Sequence, residues 1–142
     1  MPDFLLHPTL AEDCIVLGNL ENNLLLLINN SLVPWFILVP KTRHSVTELY
    51  DLSMPDQQQV LNGINTLSKF IKARFNPDKL NIGAIGNVVP QLHIHVIGRY
   101  QHDACWPKPV WGNLARTAYS NERITEIRTW LTVDLGEKLL SH

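Results

Sequence analysis

The chain has 142 residues, of which 45% are hydrophobic and 18% are charged, and its formal net charge is −1. A chain of this length can form one domain that buries about two-thirds of the surface exposed in its unfolded state. The near-neutral charge argues against a long nucleic acid as partner, because such partners normally require a basic protein face.

The first half of the chain predicts a short helix followed by a meander of three strands. Residues 9–13 are compatible with one or two helical turns, and residues 14–17 form the first predicted strand. The apolar run over residues 24–28 is bounded by turn signals, which is typical of a strand buried on both faces. Residues 35–39 form the third strand. Asn29 follows the central strand, where a side chain is well placed to meet a ligand.

A long helix is predicted over residues 53–75. Ser53 followed by Asp56 is a capping signal, and Pro55 suits the first helical turn. Asn76 and Pro77 stop the helix. One face is apolar and is expected to pack against the sheet; it comprises Val60, Leu61, Ile64, Leu67, Phe70 and Ile71.

Residues 79–82 begin a further strand, which leads into a turn rich in glycine and asparagine at residues 81–90. Glycine lets the backbone approach a ligand closely, so the N–H groups around Gly86 and Asn87 can face phosphate oxygens. An ordinary turn between two strands is the alternative interpretation.

The stretch over residues 91–97 carries the most chemistry. Polar Gln91, His93 and His95 alternate with apolar residues, which predicts a half-buried strand with these three side chains on one face. Two imidazoles held on a strand suit either metal binding or nucleophilic work on a phosphate. A solvent-facing strand without any site is the third interpretation.

The C-terminal part predicts a loop over residues 101–112 and a last helix from about residue 121. Trp106 in that loop is a candidate wall of a site, a dimer contact or a residue that packs locally within the loop. The tail at residues 139–140 either continues the helix or swaps across a subunit interface. The order of elements predicts an α+β fold, an antiparallel sheet of about five strands with the long helix laid across it.

Cysteine usage and the N-terminus indicate a cytoplasmic protein. Cys14 and Cys105 have neither CxxC spacing nor the dense pattern of a secreted scaffold, so both are expected to be reduced thiols. Acidic Asp3 and the lack of a basic region argue against a signal peptide. The run over residues 24–28 is too short to span a bilayer.

Residues 81–99 resemble the signature of the histidine triad (HIT) family of nucleotide hydrolases and transferases, which alternates three histidines with apolar residues. His93 and His95 match the second and third histidines, and Gln91 stands at the first position. Residues 36–41 with the following His44 resemble the family's Pro-Lys block, and residues 106–107 resemble the Trp-Pro of its Hint-like branch. We expect residues 1–142 to form a single domain. The resemblance covers its core, about residues 4–112, and does not extend to the C-terminal helix and tail, residues 113–142.

The resemblance implies a catalytic set of His93, His95 and Gln91. His93 would attack the α-phosphorus and carry the nucleotide covalently until water hydrolyses the intermediate. His95 would hydrogen-bond a phosphate oxygen and help the leaving group depart. The main-chain carbonyl of residue 91 would hold the other ring nitrogen of His93, so Gln91 is tolerated there although it cannot exchange a proton.

The resemblance also implies a nucleotide site for dinucleoside polyphosphates, such as diadenosine tetraphosphate, or nucleoside phosphoramidates. The residues assigned to it are Asn29, Asn81, Gly86, Asn87, Arg99, His44 and Trp106. Asn29 would bind the ribose, and Arg99 would neutralise distal phosphates unless it is a solvated strand end. No metal and no cofactor are required for the covalent step, and family members usually form homodimers.

Two other functions compete with hydrolysis. A cupin-like enzyme would use His93 and His95 as metal ligands, but it needs a third and usually a fourth ligand, and cupin barrels lack a long central helix. A nucleotide-binding HIT protein that has lost catalysis is the other alternative, which Gln91 allows.

Overall fold

The structure, a computed structural model, describes residues 4–43 and 45–141, so His44 lies outside the described residues. The regular elements are α1 (Pro8–Asp13), β1 (Cys14–Leu20), β2 (Asn23–Ile28), β3 (Trp35–Pro40), α2 (Met54–Phe75), β4 (Lys79–Gly83), β5 (Ile94–Arg99), α3 (Asn121–Leu135) and β6 (Leu139–Leu140). None of the helices within these ranges combines the length and the apolar composition needed to cross a membrane.

The strands form one antiparallel sheet in the order β4-β5-β3-β2-β1-β6. The α+β architecture is confirmed, with a sixth strand beyond the expected five. That strand is the C-terminal tail, which pairs with the outer edge of β1 through Leu20 and Leu139. Neither predicted path of the tail is therefore correct, because Gly136 ends α3 at a positive φ of 53° and the chain turns back to the sheet.

Helix α2 lies on one face of the sheet, beside α3. The Ser53 Oγ accepts a hydrogen bond from the Asp56 backbone N–H at 3.2 Å, which caps the first turn as expected. Gly63 marks a close approach, since a Cβ atom there would lie 3.0 Å from the Asn23 side chain. Leu61 was predicted to face the core but is 50% exposed. The buried face instead comprises Val60, Gly63, Leu67, Phe70 and Ile71.

The opposite face of the sheet is covered by α1 and the segment before it. Leu10 packs there with Leu24 and Leu26 of β2, and Phe4 and Leu6 lie against the same cluster. Leu25 and Leu27 of β2 face α2, so this strand is buried on both faces as its continuous apolar run predicted.

The histidine strand differs from its prediction in two ways. It begins at Ile94 rather than residue 91, because the Leu92 backbone N–H donates to the Val46 carbonyl at 2.8 Å and so leaves the sheet ladder. All six residues of β5 are buried rather than half-buried, since the strand lies between β3 and β4 and both faces are covered.

Candidate active site

A cavity of about 760 Å³ lies between the segment leading into β5 and the segment leading into α2. Gly86, Gln91 and His93 line one side, and Glu48 and Tyr50 line the other. Gly86 has φ 71°, a left-handed conformation that glycine adopts without strain. The volume lies within the range of small-ligand sites.

His93 lines this cavity, and its two ring nitrogens differ in their hydrogen bonding. Its Nδ1 lies 2.7 Å from the main-chain carbonyl oxygen of Gln91. A carbonyl only accepts, so Nδ1 donates its proton there and Nε2 of the neutral ring keeps its lone pair. The hydrogen bond expected between His93 and the main-chain carbonyl of residue 91 is thus present, and its role in catalysis stays a prediction.

His95 lies next to His93, with the two ring centroids 4.9 Å apart. The Trp35 Nε1–H donates to Nδ1 of His95 at 2.9 Å, and the Trp111 ring packs edge-on at 5.2 Å between centroids. Burial, and then the neighbouring His93, lower the pKa of His95 from 6.5 to about 3. The ring is therefore neutral at physiological pH.

The Gln91 side chain turns to the N-terminal segment. Its Oε1 accepts from the His7 backbone N–H at 2.8 Å, and its Nε2 donates to the Leu5 carbonyl at 2.9 Å. The side-chain amide thus accepts one hydrogen bond through its oxygen and donates another through its nitrogen. A histidine ring cannot make both bonds with the same geometry. Gln91 therefore serves His93 through its backbone and the N-terminal segment through its side chain.

Arg99 belongs to an internal cluster and does not line the cavity. It is 1% exposed, so the interpretation as a solvated strand end is wrong. Its guanidinium donates to both Asp103 carboxylate oxygens, at 2.8 and 3.1 Å, and to the Asn81 Oδ1 at 3.0 Å. The guanidinium also lies 5.6 Å from the centre of the Trp106 ring. These contacts favour a structural role for Arg99, Asn81 and Trp106 over nucleotide binding.

Asp103 completes this cluster. Burial acts to raise the pKa of its carboxyl, but hydrogen bonds from Arg99 and from backbone N–H groups outweigh burial and hold the pKa at about 2. The carboxylate therefore stays ionised and keeps the Arg99 charge compensated inside the protein.

Asn29 and Asn87 occupy different surroundings. Asn29 follows the last residue of β2, and in the sheet this end of β2 lies level with the end of β5. His93 lies at the opposite end of β5, because it precedes the first residue of that strand. The Asn29 Oδ1 accepts from the Tyr119 backbone N–H at 2.9 Å. Asn87 is exposed in the loop that contains Gly86, beside the cavity. The structure thus places the Gly86 loop near His93 and Asn29 at the other end of the sheet.

The metal alternative lacks ligands in the part of the chain that the structure describes. No group of three or more histidine, cysteine or acidic side chains there could hold a metal ion. His93 and His95 therefore have no third protein ligand of these types among the described residues.

Sequence reasoning missed the side of the cavity that is lined by residues 47–50 and Gln57, and it missed the contact of Trp35 with His95. One signal for this side of the cavity was available, because Glu48 and Asp51 form a reciprocal capping box around a short 3₁₀ turn. Trp35 gave no separate signal, since an aromatic residue at the start of an apolar strand is typical of a core.

Comparisons with known proteins identify the family to which the chain belongs. The HIT domain model matches residues 10–102. Bis(5'-adenosyl)-triphosphatases of Saccharomyces cerevisiae strains are 33% identical over 75 residues, which are 49% of this chain and 36% of theirs. The chain thus spans about a third of the length of these curated relatives.

Solved structures of bacterial histidine triad proteins match nearly the whole chain. The protein from Bradyrhizobium japonicum is 38% identical with a TM-score of 0.89, over 94% of this chain and 98% of that one. The protein from Marinobacter aquaeolei is 40% identical with a TM-score of 0.88, over 93% and 96%. With the family model spanning most of the sheet and both histidines of the site, this chain belongs to the HIT family.

Proposed function

We propose that this protein is a nucleotide hydrolase that acts at the α-phosphate of dinucleoside polyphosphates or nucleoside phosphoramidates through a nucleotidyl-His93 intermediate. The observation that carries the proposal is the 2.7 Å hydrogen bond from His93 Nδ1 to the Gln91 carbonyl, which leaves Nε2 available in a ring that lines the cavity. The triphosphatase name of the yeast relatives supports the substrate class.

The reaction has two displacements at phosphorus. Nε2 of His93 forms a bond to the α-phosphorus while the bond to the leaving group breaks, and the leaving group takes the electron pair and a proton from water. The carbonyl of Gln91 stabilises the positive charge that develops on the ring. A water molecule then attacks the phosphorus and gives up its proton to the hydroxide left by the first step. The P–N bond breaks, its electron pair returns to Nε2 of His93, and a nucleoside monophosphate leaves.

The Gly86 loop supplies the expected contacts to the phosphate. Backbone N–H groups in a glycine-rich turn can hold non-bridging oxygens while charge redistributes during the displacement. Asn87 lies in the same loop and is proposed to add a side-chain contact. We expect no metal or cofactor to be needed for either displacement.

A single-turnover experiment tests this function. The wild-type chain is incubated in EDTA with diadenosine triphosphate, diadenosine tetraphosphate or adenosine phosphoramidate, and AMP release and the mass of the protein are followed. We expect AMP and a transient protein–AMP adduct, both lost in His93→Asn. The matched control is His102→Asn, because His102 is exposed and stacks on Tyr100 away from the cavity lining.

Two outcomes would overturn the hydrolase. Equal AMP release by wild type and His93→Asn would remove His93 as the nucleophile. Nucleotide binding without turnover of any of the three compounds, with or without added zinc or manganese, would mean that the protein is the non-catalytic binder that Gln91 allows.

A further inference from the structure

The hydrogen bond between Trp35 and His95 joins neighbouring strands diagonally. Trp35 pairs with Ile97 and His95 pairs with Ile37 in the antiparallel β3–β5 ladder. Diagonal neighbours on one face lie within reach of an aromatic side chain. The indole Nε1 thus comes 2.9 Å from Nδ1 of His95, with Trp35 only 8% and His95 only 5% exposed.

An indole N–H can only donate, so Nδ1 of His95 must present its lone pair to Trp35. A neutral imidazole carries one ring proton, which in His95 must then be on Nε2. His93 has the opposite arrangement, because the Gln91 carbonyl can only accept and keeps the proton on Nδ1. The two histidines, two residues apart, are therefore held in opposite tautomers by two unlike partners.

We propose that Trp35 is a positioning residue that fixes His95 as a neutral Nε2–H hydrogen-bond donor toward the phosphoryl or leaving-group oxygen, while His93 presents a lone pair to the phosphorus. The inference rests on the proposed function for the identity of the accepting oxygen. The tautomer itself follows from the contacts of the resting protein.

The assignment limits what His95 can do in the reaction. Giving up its only ring proton would leave an imidazolate anion in a buried site, so His95 stabilises the developing charge and water supplies the proton. The titratable group beside it is His93; the other neighbouring rings, Trp35 and Trp111, do not ionise. From β4 the residue opposite His95 is Gly83, which carries no side chain.

Nitrogen NMR of the whole chain tests the tautomers without any substrate. In protein labelled with ¹⁵N-histidine at pH 7, long-range proton–nitrogen correlations distinguish an Nε2–H ring from an Nδ1–H ring. We expect Nε2–H for His95 and Nδ1–H for His93, with signals assigned from His93→Asn and His95→Asn. A His95 signal of the Nδ1–H or imidazolium type would overturn the inference.

Trp35→Phe tests the consequence for catalysis, because it keeps an aromatic ring but removes the donor. We expect His95 to populate both tautomers, kcat to fall about 10- to 100-fold with a smaller change in KM, and a new ionisation to enter the pH profile of kcat. The matched control is Trp111→Phe. Its ring also packs on His95, but its buried Nε1 has no hydrogen-bond partner among the described residues, so the His95 tautomer should be retained.

The two proposals can fail separately. If Trp35→Phe retains the tautomer, kcat and pH profile seen in Trp111→Phe, Trp35 has no positioning role. If the wild type shows the expected tautomers but hydrolyses none of the nucleotides, the tautomer assignment is supported and the hydrolase is overturned.

Discussion

At the scale of single residues, His95 links the site to the stability of the fold. The native protein keeps this ring neutral because burial, and then His93, lower its pKa to about 3. In the unfolded chain the pKa returns to about 6.5, so between these values the unfolded state binds a proton that the native state does not. Stability contributed by neutral His95 is complete above pH 6.5 and declines as the pH falls.

We therefore predict that the free energy of unfolding falls by about 2 kcal/mol from this residue alone between pH 7.5 and pH 5. Urea unfolding of wild type and His95→Gln at both pH values measures the effect. Gln has an oxygen acceptor for the Trp35 N–H but does not titrate, so its stability should fall less than that of the wild type. An equal fall in both proteins would contradict the prediction.

At the scale of elements, the Gln91 side chain forms hydrogen bonds between the segment before α1 and the segment that leads into β5. Gln91 binds the backbone on both sides of Leu6, through His7 N–H and the Leu5 carbonyl, while Leu6 packs against the cluster on this face. Helices and strands have ladders of hydrogen bonds, whereas residues 4–7 have no regular secondary structure, so we expect this segment to open more readily than the sheet.

Gln91→Ala is predicted to loosen this segment without changing the hydrogen bond to His93, which uses the main-chain carbonyl. We expect faster hydrogen exchange at the His7 amide and a loss of about 1–2 kcal/mol in the free energy of unfolding. Gln91→Met is the matched control, since it keeps the length of the side chain but makes neither hydrogen bond, so exchange at the His7 amide should become faster as in Gln91→Ala. Unchanged exchange at His7 in Gln91→Ala would show that apolar packing alone holds the segment.

At the scale of the whole molecule, the two edges of the sheet differ. β6 ends one edge as a strand of two residues, whereas β4 forms the other edge with five residues and a 51% exposed Ile82. An unpaired strand edge with an exposed apolar side chain favours pairing with another chain. We propose that a second copy of this chain docks at the β4 edge.

Ile82→Lys is accordingly predicted to convert a homodimer into a monomer, because it buries a charge in an isologous contact. Light scattering during gel filtration measures the mass. Leu140→Lys places the same charge at a 56% exposed residue of the opposite edge and should remain dimeric. A monomeric wild type at micromolar concentration would rule out the dimer.

Periodicity and turn signals predicted much of this fold, because they report local structure. The capping signal at Ser53 and the apolar run in β2 both give the observed elements. Contacts between residues far apart in the sequence could not be predicted from periodicity or turn signals. The burial of Arg99 depends in part on Asn81, 18 positions earlier in the chain, and the position of β6 depends on an edge of β1 more than a hundred residues away.

In the candidate site, too, contacts between residues close in the sequence could be predicted and contacts between distant residues could not. His93 and the carbonyl at residue 91 are two residues apart, and their contact could be predicted from the motif. Trp35 and His95 are separated by sixty positions and meet only through the β3–β5 register, which the order of strands along the chain does not reveal.

The backbone origin of the His93 hydrogen bond has a consequence for how such proteins are recognised. Every amino acid supplies a carbonyl, so the side chain at position 91 is free to change and here joins the N-terminus to the site. A search pattern that demands a histidine at all three positions would overlook this chain. A pattern that requires the two histidines at positions 93 and 95, any residue at position 91 and a hydrogen-bond donor to the second histidine, here Trp35, would retain it.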